Sequence, residues 1–188
     1  MTADRAAKFY SQTCVSMLDS LVAGRVLHID ETSLSIEGGL EFAWVFCSQD
    51  RVVFQHTETR EGTFLKDRLQ GFKGVLITDF YAAYESIPCP QQKCLIHLIR
   101  DLNNDLLKEP FNYEMKALAR DFCGVLRPMV DTIDKFGLKA RYLRKHIPVV
   151  RRFFRCLSTQ DYTSVTAVKY RQRFEKNRNT LLAVRGIR

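Results

Sequence analysis

The chain has no apolar run approaching the eighteen or so residues a membrane-spanning helix needs, so no segment of it reads as a transmembrane anchor. Its first ten residues mix Asp4, Arg5 and Lys8 with small side chains, unlike a secretory leader, so the expected compartment is the cytoplasm. Cysteine is sparse: six (14, 47, 89, 94, 123 and 156) in 188 residues, with no second close Cys or His pair to complete a four-ligand zinc set. Reduced thiols, several buried as small hydrophobes, are the favoured reading, with structural zinc the minority alternative. Internal repeats and low-complexity stretches are also lacking. Acidic residues almost vanish toward the end: residues 135–188 hold 15 Lys/Arg against 2 Asp/Glu, a local +13, whereas residues 1–134 stand at −5 within the overall +8. A basic stretch on a mildly acidic body suggests a polyanion partner, nucleic acid being the commonest, although solvated basic helices have the same composition.

What is present reads as an ordered succession of elements. A composition 46% hydrophobic and 27% charged suits one globular domain, or one domain with an insertion. Residues 3–23 repeat apolar side chains at threes and fours up to Gly24, a helix with its stop. Residues 25–36, 42–47 and 51–57 are rich in β-formers and separated by short turns, predicting an antiparallel meander. Residues 60–69 predict a helix, 74–78 a buried strand, 80–86 a short helix, 93–96 a brief strand and 97–108 a helix. This βαβα run predicts that the fourth and fifth strands are parallel, with right-handed crossovers. From residue 111 onward only helical patterns occur, broken near Gly137 and Pro148. The fold class is α/β: a mixed five-stranded sheet with flanking helices and a helical insertion at about 111–170.

Chemistry is expected at two aspartates. Asp30 lies inside the first strand, and Asp79 lies where the fourth strand ends. A right-handed crossover can pair those strands and bring the carboxylates side by side. Such a pair suits a hard divalent cation that retains water and substrate phosphate in its shell; the alternative is two strand-end acids that merely face water. Glu31 alternates to the opposite side of the strand, so a regular strand keeps it away from a site that Asp30 faces. His97 and Asp101 share a helix face and can hydrogen-bond, and zinc ligation by Cys94 and His97 lacks partners. Tyr81 and Tyr84 read as core before DNA contact. Arg151, Arg152, Arg155, Lys169, Arg171, Arg173, Lys176 and Arg178 form a basic cluster suited to DNA phosphates, more telling together than singly.

At these residues the sequence resembles the insertion-sequence-66 group of bacterial transposases. The resemblance is carried by His28-Ile29-Asp30-Glu31-Thr32, Thr59-Arg60, Gly74 through Asp79 with Tyr81 and Ala83-Tyr84, and Cys94-Leu95-Ile96-His97-Leu98-Ile99-Arg100-Asp101. It runs in order from about residue 25 to 108 and continues more loosely to the end. It implies a ribonuclease-H-like fold with an Asp-Asp-Glu site using Mg²⁺ or Mn²⁺, catalytic roles for Asp30 and Asp79, and DNA (transposon ends and target) as partner. It suggests a supporting role for Cys94 and His97, with Arg100 and Asp101 on the same helix. A second copy or an intact transposase is a further expected partner, and the location implied is the cytoplasm, at the nucleoid. On this reading residues 1–24 are an N-terminal helix, 25–110 the catalytic core, 111–170 the insertion, and 171–188 a basic helix leading toward a third acid. That Glu follows an Asn-rich stretch in the family, and the chain is expected to stop before it; Glu175 is a weak substitute. The implied function is DNA cleavage and strand transfer in an intact protein, with this chain inactive alone; the alternative is a non-catalytic DNA-binding or transposase-interacting product.

Overall fold

Alternation along the first strand decides which side chains become core. The computed structural model describes residues 3–36 and 38–182, in two compact units, Met1–Lys93 and Cys94–Arg188. Strand β1 (Val26–Ile36) buries Leu27 and Ile29 and exposes Val26, His28 and Asp30, the two-residue period of a half-covered strand. Strand β2 (Gly39–Cys47) pairs with it antiparallel, setting Ile29 opposite Phe46 and Glu31 opposite Trp44. Gly38 makes the turn between them at φ +110°, a backbone that a side chain would strain. Strand β3 (Val52–Thr57) adds antiparallel to β2. On the other side of β1, strands β4 (Val75–Thr78) and β5 (Gln91–Lys93) run parallel. The order is β3-β2-β1-β4-β5, the mixed five-stranded sheet expected from the sequence.

Helices close one face of this sheet. Helix α1 (Ala3–Val22) contributes Leu18 and Leu21, and α2 (Thr63–Arg68) contributes Leu65, to a core shared with Leu27, Ile29, Trp44, Phe46, Leu76 and Tyr84. Helix α2 is shorter than the ten residues expected, because Gly62 serves as its N-cap. A single 3-10 turn, Ala82–Ser86, stands for the short helix after Asp79.

The strand expected at 93–96 is displaced. The ladder opens at Pro90, whose carbonyl accepts from Leu76 N at 2.8 Å, and ends at Lys93. Cys94 is the extended N-cap of α3 (Leu95–Lys108), which buries Leu98 and Leu102. The apolar run at 94–96 is therefore a helix start, and composition alone does not separate the two.

The second unit is helical in its described residues: α3, α4 (Tyr113–Phe136), α5 (Ala140–Leu143), α6 (Ile147–Thr159), α7 (Val165–Lys176) and α8 (Arg178–Leu181). Phe122, Phe153 and Phe174 meet from α4, α6 and α7, with ring centroids 4.8 to 5.9 Å apart. Helix α4 is capped by Gly137 and α6 carries Pro148 in its first turn, at the two breaks in the helical pattern. The last six residues of the expected 171–188 helix lie outside the described residues. The cysteines correct one expectation: none is buried, three being exposed and three half-buried, and all six are free thiols. Cys123, for example, sits on the outer side of α4 between the buried Phe122 and Val125.

Candidate functional site

The site begins with a glycine. A Cβ on Gly74 would stand 2.6 Å from the Arg25 carbonyl oxygen and 2.7 Å from the Phe72 ring, so only glycine lets the chain pass. Val75 N then donates to Arg25 O at 2.9 Å, which locks the start of β4 to the start of β1. Partners across this parallel ladder (26 with 75, 27 with 76, 28 with 77) differ by 49. Asp30 and Asp79 also differ by 49, so the same register, carried two residues further, sets them level. The side chains do converge: Asp30, Glu31 and Asp79 each offer an oxygen, and these lie within 4.8 Å of one another.

Glu31 in this group overturns the expectation that alternation keeps it away. Alternation itself holds, since Glu31 pairs with Trp44 on the core face and its side chain is only 2% exposed. But β4 stops at Thr78, so at the level of Asp79 no strand neighbour walls one face of β1 from the other. Asp30 also turns toward the chain ahead, Oδ1 accepting from Glu31 N at 3.1 Å. On the outer face, burial and then the Asp30 charge push the Cys47 thiol up.

The Glu31 carboxylate is held from two sides. Arg60 donates from Nε at 2.9 Å and from Nη2 to the same oxygen, and the Tyr84 hydroxyl donates to the other at 2.7 Å. Burial, then the Glu31 hydrogen bond, push the Tyr84 hydroxyl far above the usual phenol range, so it remains a donor. The hydrogen bond to Glu31 chiefly raises the Arg60 guanidinium, with the charge of Asp79 adding to it. The Arg60 guanidinium lies over the Tyr81 ring, 4.4 Å from its centroid, and Tyr81 donates its hydroxyl to the Arg60 carbonyl at 3.2 Å. Asp79 Oδ1 in turn accepts from Tyr81 N at 2.8 Å. Tyr84 is also core, edge-on to Trp44 at 6.2 Å. Glu31, Arg60 and Tyr84 all stand in the motifs singled out from the sequence, but only proximity in space shows what they touch.

An all-oxygen donor set fits a hard divalent cation. Oxygens about 2.1 Å from one Mg²⁺ lie up to about 4.2 Å apart, and two ions share bridging ligands at slightly longer spans; the 4.8 Å limit is compatible with either arrangement.

The other sequence candidates are distributed differently. Cys94, the N-cap of α3, and His97, Arg100 and Asp101 within that helix lie in the second unit. Asp101 accepts from Arg173 at 2.8 Å. Arg173 is 19% exposed and is drawn into the fold by this pairing. Lys169 approaches Asp105 at 3.6 Å, Arg171 reaches the Gln160 carbonyl at 3.4 Å, and Arg178 lies over the Phe154 ring at 5.3 Å. Arg151, Arg152, Arg155 and Lys176 are exposed, as is Glu175 on α7.

No helix among the described residues is long and apolar enough to cross a membrane. No curated protein and no solved structure matches the chain significantly. A family model described as "Transposase IS66 family" matches residues 2–182. That span takes in both aspartates, the Arg60–Tyr84 network and the helices after them: the chain belongs to the IS66 family of DDE transposases, with the ribonuclease-H-like sheet that the family entails.

Proposed function

We propose that Asp30 and Asp79 hold Mg²⁺ or Mn²⁺ in the core of a transposase that cuts and joins DNA phosphodiesters. The observation that carries this is the convergence of their carboxylate oxygens at the end of the β1–β4 ladder. Divalent cations there would activate the attacking hydroxyl group and offset charge on the scissile phosphate. The chain's own residues prepare that chemistry. The Tyr81 backbone fixes the Asp79 rotamer, and the β1–β4 register fixes the height of Asp30 beside it. Pre-positioned carboxylates bind without rearranging, which is how such sites gain their effect.

Arg60 and Tyr84 hydrogen-bond both oxygens of Glu31, so Asp30 and Asp79 are the carboxylates proposed as the cation's main ligands, where the family's chemistry uses three acids. With those two carboxylates as the main ligands, little DNA cleavage is expected. Residues 25–110 are read as the catalytic core and 111–170 as a helical insertion. The proposed setting is the cytoplasm, with transposon ends, target DNA and a second copy of the chain as partners. The exposure of Arg151, Arg152 and Arg155 favours a second reading, a DNA-binding product without chemistry.

Titrating the purified chain with Mn²⁺ and incubating it with supercoiled plasmid tests both. Mn²⁺ binding is expected, lost in Asp30→Asn and Asp79→Asn while thermal unfolding is retained, with little or no nicking. Equal Mn²⁺ binding by the variants defeats the metal assignment. Robust nicking that Asp79→Ala abolishes shows a site already complete.

A further inference from the structure

We propose that Arg60 is the phosphate clamp of this site: a guanidinium held at the acid cluster by Glu31 and Tyr81 so that its outer edge meets the DNA backbone. The assignment deepens the reading of Asp30 and Asp79 as metal ligands and rests on it.

Three observations lead there. First, Glu31 takes Nε and Nη2 on a single oxygen, so the guanidinium plane is oriented and the Nη1 edge lies outside that bond. Second, the Tyr81 ring supports one face of the plane at 4.4 Å, and Tyr81 is the residue whose backbone N–H holds Asp79. Arg60 and the metal-binding carboxylate are thus fixed by one residue, two positions beyond Asp79. Third, the Arg60 side chain is 50% exposed while its Glu31 partner is 2% exposed. A purely internal counter-charge would be expected to share its partner's burial. This arginine instead spans the boundary, anchored inside and open outside.

The chemistry follows from geometry. A planar, permanently charged fork suits phosphate oxygens better than an ammonium does. A side chain pinned along one edge and one face loses little further freedom when the remaining edge binds. Glu31 holds the guanidinium in place in the free protein, and a phosphate arriving at the acid cluster meets its outward N–H donors beside two aspartates that would otherwise repel it.

The test uses the full chain, a short fluorescent duplex and anisotropy over a potassium chloride series, in EDTA and in Mn²⁺. Arg60→Gln keeps a hydrogen-bonding side chain against Glu31 and removes the charge. The slope of log affinity against log salt is expected to fall by about 0.9, the value for one neutralised phosphate on duplex DNA. Arg60→Lys, which keeps the charge but not the fork, is expected to retain the slope with weaker binding. Both are expected to bind Mn²⁺ like the parent chain, so the change in slope is read with the acid cluster intact. A folded Arg60→Gln chain with the parent slope overturns the assignment. So does Mn²⁺ binding lost in both variants, or duplex binding undetectable in the parent. Failure of the metal reading is distinguishable: the parent chain then binds no Mn²⁺, while the slope measured in EDTA still reports on Arg60.

Discussion

Tyr84 shows how one hydroxyl links core and chemistry. Its ring is fully buried against Trp44, and its hydroxyl satisfies a carboxylate that the fold has taken out of water. Tyr84→Phe leaves the packing and strips one of Glu31's partners, so unfolding stability is expected to fall by about 1.5–3 kcal/mol, as for hydrogen bonds to charged groups. Urea unfolding followed by circular dichroism reads this as a lower midpoint at unchanged slope; an unchanged midpoint would mean that Arg60 alone satisfies Glu31. Asp30 and Asp79 are legible in the sequence because each closes or interrupts a recognisable apolar strand. The place of Glu31 is not, because strict alternation describes a strand with neighbours on both sides, and at Asp79 one neighbour has already ended. The binding of Arg173 to Asp101 is not legible either, since a pairing across 72 positions leaves no periodic trace.

Helix α7 is secured at its start by an acid from another helix. Glu114, in the first turn of α4, accepts from Ser164 N at 2.8 Å, Thr163 N at 3.0 Å and Thr163 Oγ1 at 2.7 Å. The Ser164 backbone bond first, then Thr163, hold the Glu114 carboxyl below its ordinary 4.5. A depressed folded-state value means that the contribution is present above 4.5 and lost as pH falls through the folded value. Glu114→Gln is therefore expected to lower the Tm at neutral pH, the gap to the parent chain closing as pH drops below 4.5. Melting curves from about pH 7 to about pH 3 check this, and a gap that stays constant with pH would reject it. Most elements are readable from periodicity, the meander most directly. Element edges are not: Gly62 caps α2 later than its apolar pattern begins, and β5 lies upstream of its apolar run because its position is set by hydrogen bonding to Leu76.

Charge is the property that spans the whole molecule. The local +13 over residues 135–188 reads from composition as one basic surface, yet the structure sorts it. Arg173 and Lys169 balance Asp101 and Asp105 of α3, while Arg151, Arg152 and Arg155 remain exposed on α6. Replacing those three by Ala is expected to lower the salt slope of duplex binding by about 0.9 for each phosphate they neutralise. Arg173→Ala is expected to act through stability instead, and a triple variant with the parent slope would place DNA elsewhere. Composition carries the sum of these charges but not their partners, which only folding assigns. The Gly74 passage has its own consequence for anyone re-engineering the chain. The height of one aspartate beside the other is measured from that crossing and not along the backbone, so tags or spacers spliced into the Ser48–Arg51 turn should leave the pair aligned. A single extra residue between Gly74 and Asp79 would put the wrong side chain at the mouth of an otherwise intact sheet.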